Sequence, residues 1–361
     1  MTAPAPSSSL TAGRLPKSTP WIILAACVAV AGFGIGTLSG NAVPFNLVGG
    51  LLVGMLIYML VIYITSRRVE GQRKATDRVV TALVSFAFLI ALTPLISVAW
   101  TAVSNGMARF DVAFFTQSMR NITGEGGGAL HAIIGTLLIT LAATIISVPI
   151  GLLTAIYLVE YGRGKFAQAI TFLVDVMTGI PSIVAGLFAY GLFSLIFGAW
   201  IRFGIGGAVA LSVLMIPVVV RSSEEMLKLV PNELREAAFA LGVPKWRTIT
   251  KVVLPTSAAG IATGITLAIS RIIGETAPLL IIAGYTSSMN YNLFLNTAGS
   301  ANPMMTLPVF VYSSYANPGS DVQPYLDRAW AGALTLILIV MLLNLIARLI
   351  AKYFAPKTSG R

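Results

Sequence analysis

The chain has 361 residues, of which 56% are hydrophobic and only 10% are charged, and its mean hydropathy is +0.86. A water-soluble globular protein of this size does not need so much apolar sequence, so the composition indicates a polytopic membrane protein. A single cysteine, Cys27, and a single histidine, His131, argue against disulfide and zinc chemistry. The net charge of +11 would favour nucleic acid in a soluble protein. Membrane proteins instead carry excess Lys and Arg in cytoplasmic loops, so no nucleic-acid partner is expected.

Eight apolar runs are long enough to form membrane-spanning helices, each of which needs about 20 apolar residues to cross the hydrocarbon core. These runs lie at 21–38, 45–65, 79–103, 133–159, 166–197, 204–220, 257–284 and 330–353. The fifth run is predicted to break at the sequence TGIPS, residues 178–182, because proline lacks a backbone donor and disfavours helix in the residue before it. The sequence therefore predicts an all-α polytopic membrane protein with about eight transmembrane helices.

The basic residues predict the orientation of these helices. With a cytoplasmic N-terminus, 19 of the 24 basic residues lie in cytoplasmic segments, so both termini are expected in the cytoplasm. The first two runs are predicted to pack closely through Gly32, Gly36, Gly40, Gly50 and Gly54. The predicted domains are a disordered tail at 1–20, a transmembrane hairpin and basic linker at 21–78, a permease core at 79–355 and a short tail at 356–361.

The segment 221–255, between the sixth and seventh runs, is longer and more amphipathic than a simple turn needs. Asn232 is predicted to cap a helix that carries Glu236 near its beginning. Gly242 suits a left-handed helix end, and a second short helix is expected from Trp246. The apolar stripe expected on the first helix consists of Leu234, Ala237, Ala238 and Leu241. A helix resting on lipid headgroups is the alternative interpretation of this pattern.

The spacing within this segment resembles the EAA loop of ABC importer permeases: Glu236-Ala237-Ala238, three residues, Gly242, nine residues, then VVLP at 252–255. We call residues 221–255 the coupling loop. The resemblance implies that its first helix docks into a cleft of a partner ATPase subunit. No GxxxxGK[ST] phosphate-binding sequence occurs in the chain. We therefore expect a non-catalytic subunit without a cofactor of its own, with ATP bound by the partner. The sequence GEGGGA at 124–129 is predicted to be a flexible outer loop.

Two charged residues, Arg271 and Glu275, lie inside the seventh apolar run. Arg271 is expected roughly 24 Å along the helix from Pro255, within the membrane, where an unpaired charge costs several kcal/mol. Arg271 is predicted to line a path for an anion, with Glu275 one helical turn further on, and a purely structural ion pair is the alternative. A guanidinium suits a tetrahedral oxyanion because it donates two parallel hydrogen bonds. Pro278 predicts a bend near this site.

Four segments together resemble the PstA-type permease of bacterial phosphate-specific ABC importers: GIPSIVAGLF at 179–188, RSSEEML at 221–227, RIIGETAPLL at 271–280 and TLPVFVY at 306–312. The likeness covers 79–354, and the N-terminal hairpin departs from the usual six-span pattern of the family. The resemblance implies a six-helix type I ABC importer permease core that forms half of the path for inorganic phosphate through a bacterial plasma (inner) membrane. It also carries Arg221 and Arg271 over as transport residues. Ordinary anchoring at the cytoplasmic side is the alternative role for Arg221.

The resemblance further implies the partners of the chain in the lipid bilayer: a second permease of the PstC type, an ATPase dimer of the PstB type and an extracytoplasmic phosphate-binding protein of the PstS type. A permease for another oxyanion, such as sulfate or molybdate, would keep this mechanism and change the ligand. A secondary anion carrier would need an ion-binding site and no ATPase, and the coupling loop argues against it. Asp175, near the cytoplasmic end of its run, is expected to bond to neighbouring backbone.

Overall fold

The computed structural model of the chain describes residues 15–16, 18–38, 47–296, 300–319 and 321–354. The α-helices in these ranges are α1 (Thr19–Leu38), α2 (Leu47–Glu70), α3 (Gln72–Gly106), α4 (Val112–Thr116), α5 (Leu130–Ile156), α6 (Gly164–Thr178), α7 (Ser182–Phe197), α8 (Gly204–Lys228), α9 (Asn232–Ala240), α10 (Lys245–Thr248), α11 (Leu254–Ile272), α12 (Ala277–Ile282), α13 (Leu307–Ala316) and α14 (Val322–Phe354). A 3₁₀ turn at Met107–Arg109 extends α3, and π-helical turns at Tyr157–Tyr161 and Ile249–Val253 follow α5 and α10. Within the described ranges, β-type pairing is limited to one isolated bridge between Phe203 and Asn302. The predicted all-α fold is therefore confirmed.

One compact unit spans Met1–Trp100 and contains α1, α2 and most of α3. A Cβ atom at Gly54 of α2 would lie 2.9 Å from the Cα atom of Val28 in α1, so a side chain there would force the two backbones apart. Gly54 therefore shows the close approach that the glycine pattern predicts, whereas Gly40 lies outside the described residues. The apolar core of this unit consists of Cys27, Met55, Tyr58, Ile62 and Ala82.

A carboxylate that is almost inaccessible to solvent fixes the corner between α2 and α3. Glu70, whose side chain is 2% exposed, accepts hydrogen bonds from Arg78 Nε at 2.6 Å and Arg78 Nη2 at 2.9 Å. The Leu15 backbone N–H and the Ser66 hydroxyl each donate to it at 2.9 Å. Arg78 is the main cause that lowers the pKa of Glu70 to about 2. The predicted basic linker is thus a sharp corner at Gly71, where φ is +90°.

Glu70→Gln is expected to loosen this corner at neutral pH, because the substitution removes the charge that pairs with Arg78. The pKa of Glu70 is depressed in the folded state from an ordinary value of 4.5, so its stabilising contribution is present above that value and is lost as the pH falls towards about 2. Hydrogen exchange of α1 and α2 at pH 7 should be faster in the variant than in the wild type. Equal exchange rates in the two proteins would contradict the prediction.

A second compact unit spans Thr101–Arg361 and is built around α8. Most of α8 is buried, and two neighbouring helices approach it at glycines. A Cβ atom at Gly151 of α5 would lie 2.7 Å from Val219 Cγ1, and one at Gly264 of α11 would lie 2.6 Å from Ser222 Cβ. The small residues therefore allow α5, α8 and α11 to pack at backbone distance.

Five helices in the described part of the chain are long and apolar enough to cross a membrane, and one bent helix pair raises the number to six. They match the six core runs in order: Gln72–Arg109, Leu130–Tyr161, Gly164–Thr178 with Ser182–Phe197, Gly204–Lys228, Lys245–Ile272 and Val322–Leu349. The predicted number of eight also includes the two hairpin helices, and it stays a prediction. Of the two hairpin helices, α1 has 20 residues and α2 has 24 residues, and α2 ends in a turn that contains Arg67, Arg68 and Glu70.

Two of the predicted spans are interrupted. The sequence TGIPS breaks the fifth span as predicted, because α6 ends at Thr178, α7 begins at Ser182 and the two helices meet at 109°. The seventh run, 257–284, is not one bent helix, since α11 ends at Ile272 and α12 begins at Ala277. Pro278 lies in the first turn of α12, where a missing N–H costs nothing, so it begins a new helix rather than bending an existing one.

The glycine-rich sequence at 124–129 is held by two arginines. Arg328 Nη1 donates to the carbonyls of Gly124 and Gly126 at 2.6 and 3.0 Å, and Arg109 Nη2 donates to the carbonyl of Gly127 at 2.6 Å. Arg328 is fully buried. The prediction of a flexible loop is therefore wrong, because local composition carries no information about an arginine more than 200 residues away in the sequence.

Candidate translocation and coupling site

One face of α11 packs inside the second unit and the opposite face is exposed. The buried positions are Ser257, Ile261, Gly264, Ala268 and Ile272. The exposed face carries Thr263, Leu267 and Arg271 at intervals of four residues. Arg271 lies in the last turn of α11 and forms no ion pair or hydrogen bond with the residues that the structure describes. A bare guanidinium on a spanning helix is costly against lipid, so this face must meet water or another protein.

Glu275 does not continue the helical face of Arg271. α11 ends at Ile272, and Glu275 lies in the break before α12, where its backbone N–H donates to the carbonyl of Ile272 at 3.1 Å. Its side chain is half-buried and is not paired with Arg271 in the described part of the chain. The expected spacing of one helical turn is therefore wrong, because the helix stops before it reaches Glu275. Each charge remains available to a group outside this chain.

The segments 179–188 and 271–280 are in contact close to the break between α11 and α12. Gly186, from GIPSIVAGLF, and Pro278, from RIIGETAPLL, are both buried, and a Cβ atom at Gly186 would lie 2.5 Å from the Cα atom of Pro278. α7 therefore crosses α12 at backbone distance. TLPVFVY is also fixed to the core, since the Leu307 N–H donates to the hydroxyl of Thr136 in α5 at 2.7 Å.

Gly186→Val is expected to reduce transport by displacing α12 and the break that carries Glu275. The new side chain would overlap the backbone of Pro278, which cannot rotate away, and overpacking of this kind costs about 1–3 kcal/mol or more. The measurement is uptake of the anion that the sequence resemblance implies, normalised to the amount of assembled complex. Gly191→Val, on the same helix and with open space around it, is the matched control, and equal uptake by the two variants would contradict the prediction.

Arg221 joins a row of charges between α6 and α8. Its Nη2 pairs with Asp175 of α6, and its Nη1 pairs with Glu224 at 2.8 Å. Glu224 in turn pairs with Lys228 at 2.7 Å. The sequence-based expectation that Asp175 bonds to neighbouring backbone is wrong, because its partner is a side chain 46 residues further along the chain. The sequence shows only that Asp175 is a lone carboxylate close to the end of an apolar run, which does not identify its partner.

The first helix of the coupling loop, α9, ends as predicted at a left-handed glycine. Gly242 has a φ of +72°. Its N–H donates to the carbonyl of Phe239 at 2.9 Å, and the Val243 N–H donates to the carbonyl of Ala238 at 3.1 Å. This pair of bonds is a Schellman motif, which satisfies carbonyls at the end of the helix. No other atom lies within 4 Å of a Cβ placed at Gly242, so the backbone conformation rather than crowding requires glycine.

Both ends of the coupling loop differ from the sequence-based expectation. Pro231, not Asn232, occupies the cap position of α9, and the side-chain oxygen of Asn232 accepts a hydrogen bond from Arg235 at 3.3 Å. The second short helix expected from Trp246 is the base of a continuous helical segment, Lys245–Ile272. The chain therefore runs from α9 through one turn directly into the helix that carries Arg271.

The expected apolar stripe on α9 is mostly exposed. Leu241 is 83% exposed, Leu234 is 41% exposed, and of the four stripe residues Ala238 alone is buried. Glu236 and Ala237 are exposed as well. Exposed apolar side chains flanked by charges are typical of a surface that another protein covers.

The chain is similar to a family of membrane transport proteins. A profile of the family described as "Binding-protein-dependent transport system inner membrane component" matches residues 147–360. "Phosphate transport system permease protein PstA 1" of Mycobacterium tuberculosis (strain CDC 1551 / Oshkosh) is 43% identical over 77% of this chain and 90% of its own length. "Phosphate transport system permease protein PstA" of Yersinia pestis is 41% identical over 81% of this chain and 94% of its own length.

Among solved structures, a chain of the inward-facing MetNI methionine ABC transporter aligns with 63% of this chain and 95% of its own length, at 19% identity and a TM-score of 0.48. The family profile covers more than half of the chain, and the two sequence relatives cover most of it. The chain therefore belongs to the family of binding-protein-dependent transport system inner membrane components.

Proposed function

We propose that the chain is a transmembrane permease subunit of an ATP-driven importer of inorganic phosphate, that it forms half of the translocation path and that it couples to an ATPase through the coupling loop. The observation that carries the proposal is Arg271, a guanidinium that has no ion-pair partner among the described residues and lies on the exposed face of a spanning helix, next to a helix break. The names of the relatives, which are phosphate permeases, supply the substrate.

The geometry supports two separate roles, substrate passage and ATPase contact, at the two ends of one continuous helical segment. Arg271 lies at the end of Lys245–Ile272, and α9 with its exposed Leu241 precedes the beginning of that segment. A guanidinium attracts an oxyanion through two parallel hydrogen bonds, whereas the exposed apolar side chains on α9 suit a protein surface. In this proposal the substrate passes near Arg271, and the ATPase binds α9 and displaces it when the ATPase changes conformation.

The assembly proposed here contains a second permease of the PstC type, an ATPase dimer of the PstB type and an extracytoplasmic phosphate-binding protein of the PstS type. The chain lies in the bacterial plasma membrane with both termini in the cytoplasm. Arg361→Cys in a Cys27→Ser background tests the orientation. An impermeant thiol reagent should label this cysteine in inverted vesicles and leave it unlabelled in intact spheroplasts, and the reverse pattern would refute the proposed orientation.

The function is tested by reconstituting the chain into proteoliposomes with those partners and measuring uptake of radiolabelled phosphate. We expect uptake that requires ATP, and neither uptake nor ATP hydrolysis by the chain alone. Excess unlabelled phosphate should compete, whereas excess sulfate or molybdate should not. Stronger competition by sulfate or molybdate would assign another oxyanion, and uptake driven by an ion gradient without the ATPase would identify a secondary carrier.

A further inference from the structure

Arg235 attaches α9 to the rest of the second unit. Its Nε and Nη2 atoms lie 3.0 and 2.9 Å from Glu160 Oε1. Nη2 also donates to the carbonyl of Leu227 at 3.0 Å, and Nη1 donates to the carbonyl of Val230 at 2.6 Å. The two charged side chains are only 13% and 6% exposed. Arg235 thus connects α9 to the end of α8 and to the π-helical turn after α5.

The chain beyond α9 is attached to the same turn. Lys245 Nζ donates to the backbone carbonyl of Glu160 and lies 4.8 Å from the centre of the Tyr161 ring. Both attachments therefore converge on Tyr157–Tyr161, the last turn of the helical segment Leu130–Tyr161. π-helical turns are rare, and those that occur are frequently found at functional sites.

The buried ion pair between Arg235 and Glu160 has a desolvation cost that its hydrogen bonds must offset. Two charges removed from water lose hydration free energy, and this loss is offset only when their geometry is good and their remaining donors are satisfied. Arg235 meets that condition, because its contacts to Glu160 and to two backbone carbonyls use all three guanidinium nitrogens. Removing one partner would leave the other charge poorly hydrated and α9 less firmly attached to α5.

We propose that the Arg235–Glu160 ion pair is the link through which movement of α9 reaches α5, and that both residues are positioning residues for coupling. α9 is joined to α11 through the backbone, but it meets the end of α5 through these side chains. Rigid polar contacts can transmit a displacement from one element to another, whereas a loop attached by the backbone alone can pivot. This inference rests on the proposed function, since it concerns how an ATPase docked on α9 drives transport.

The test uses the assembled transporter in proteoliposomes and measures phosphate uptake per ATP hydrolysed, per assembled complex. Arg235→Met should lower this ratio about tenfold, a typical size for a coupling between two sites, while ATP hydrolysis continues. Arg235→Lys should restore part of the ratio, because it keeps the charge but not the fork. The double variant Glu160→Gln with Arg235→Met should be no worse than Arg235→Met, because both substitutions break the same link.

Arg163→Met is the matched control, because Arg163 is an exposed arginine three residues from Glu160 that forms no hydrogen bond or ion pair with the described residues of α9. The control should keep the wild-type ratio. If Arg235→Met keeps the wild-type ratio of uptake to ATP hydrolysis, even with less assembled complex, the ion pair only stabilises the protein. That result would overturn the inference. A lower ratio in the double variant than in Arg235→Met would overturn it as well. Absence of ATP-dependent phosphate uptake by the wild type would instead refute the proposed function.

Discussion

Replacement of Arg271 by Gln or Met is expected to abolish phosphate uptake while the complex still assembles. Arg271 is exposed on α11 and has no partner among the described residues, so its removal leaves no buried charge behind within this chain. It removes the cation that attracts the anion in a low-dielectric environment, and we expect uptake to fall at least about tenfold, the effect of 1.4 kcal/mol. The measurement is uptake of radiolabelled phosphate at equal amounts of assembled complex.

Two further variants separate a direct role of Arg271 from a structural one. Arg271→Lys should rescue uptake poorly, because an ammonium is a point charge without the planar fork. The double variant Arg271→Met with Glu275→Gln should remain inactive. The structure favours this outcome because α11 ends at Ile272 and the side chains of Arg271 and Glu275 do not pair with each other. Substantial uptake by the double variant would show that Arg271 only balances Glu275.

The second large effect is expected from the exposed face of α9. Leu241→Asp places a charge at a side chain that is 83% exposed in this chain and that we expect the ATPase to bury. Truncation or charging of a buried anchor residue typically costs about 2 kcal/mol or more, which corresponds to a roughly thirtyfold weaker complex. Retention of the ATPase subunit from solubilised membranes should fall accordingly. Glu236→Lys and Gly242→Trp, on the same surface, should weaken retention in the same direction.

Val112→Asp is the control for this series. Val112 is 78% exposed, but it lies on α4, in the segment that the charge pattern predicts to be extracytoplasmic. The same change in chemistry there should leave ATPase retention unchanged. If Leu241→Asp retains the ATPase subunit and takes up phosphate normally, the alternative interpretation holds, in which α9 rests on lipid headgroups.

The elements that could be predicted from the sequence are those that depend on local properties. The length of an apolar run determines whether a helix can span the membrane, and the six core runs match five helices and one bent pair. Proline in TGIPS ends α6 at Thr178, and Gly242 adopts the left-handed conformation that ends α9. The spacing from Glu236 to Gly242 also predicted where α9 ends, because a helix end depends on residues close together in the chain.

Helix ends inside apolar sequence were harder to predict. The run 257–284 contains no strong signal at Ile272, yet α11 ends there and Glu275 falls outside it. The contact of α12 with α7 provides a physical reason, since the close approach of Gly186 to Pro278 fixes where α12 begins. Tertiary packing of this kind overrides local helix propensity.

The amino-acid sequence by itself determined the helical class, the six core spans, the end of α9 at Gly242 and the presence of an arginine within the seventh apolar run. Only the tertiary structure decided which charges are paired. Arg221 meets Asp175 across 46 residues and Arg235 meets Glu160 across 75, whereas Arg271 and Glu275, four residues apart, do not pair. The physical reason is that an ion pair depends on the distance between two side chains after the helices have packed, and helix packing brings distant residues together while a helix end separates near ones.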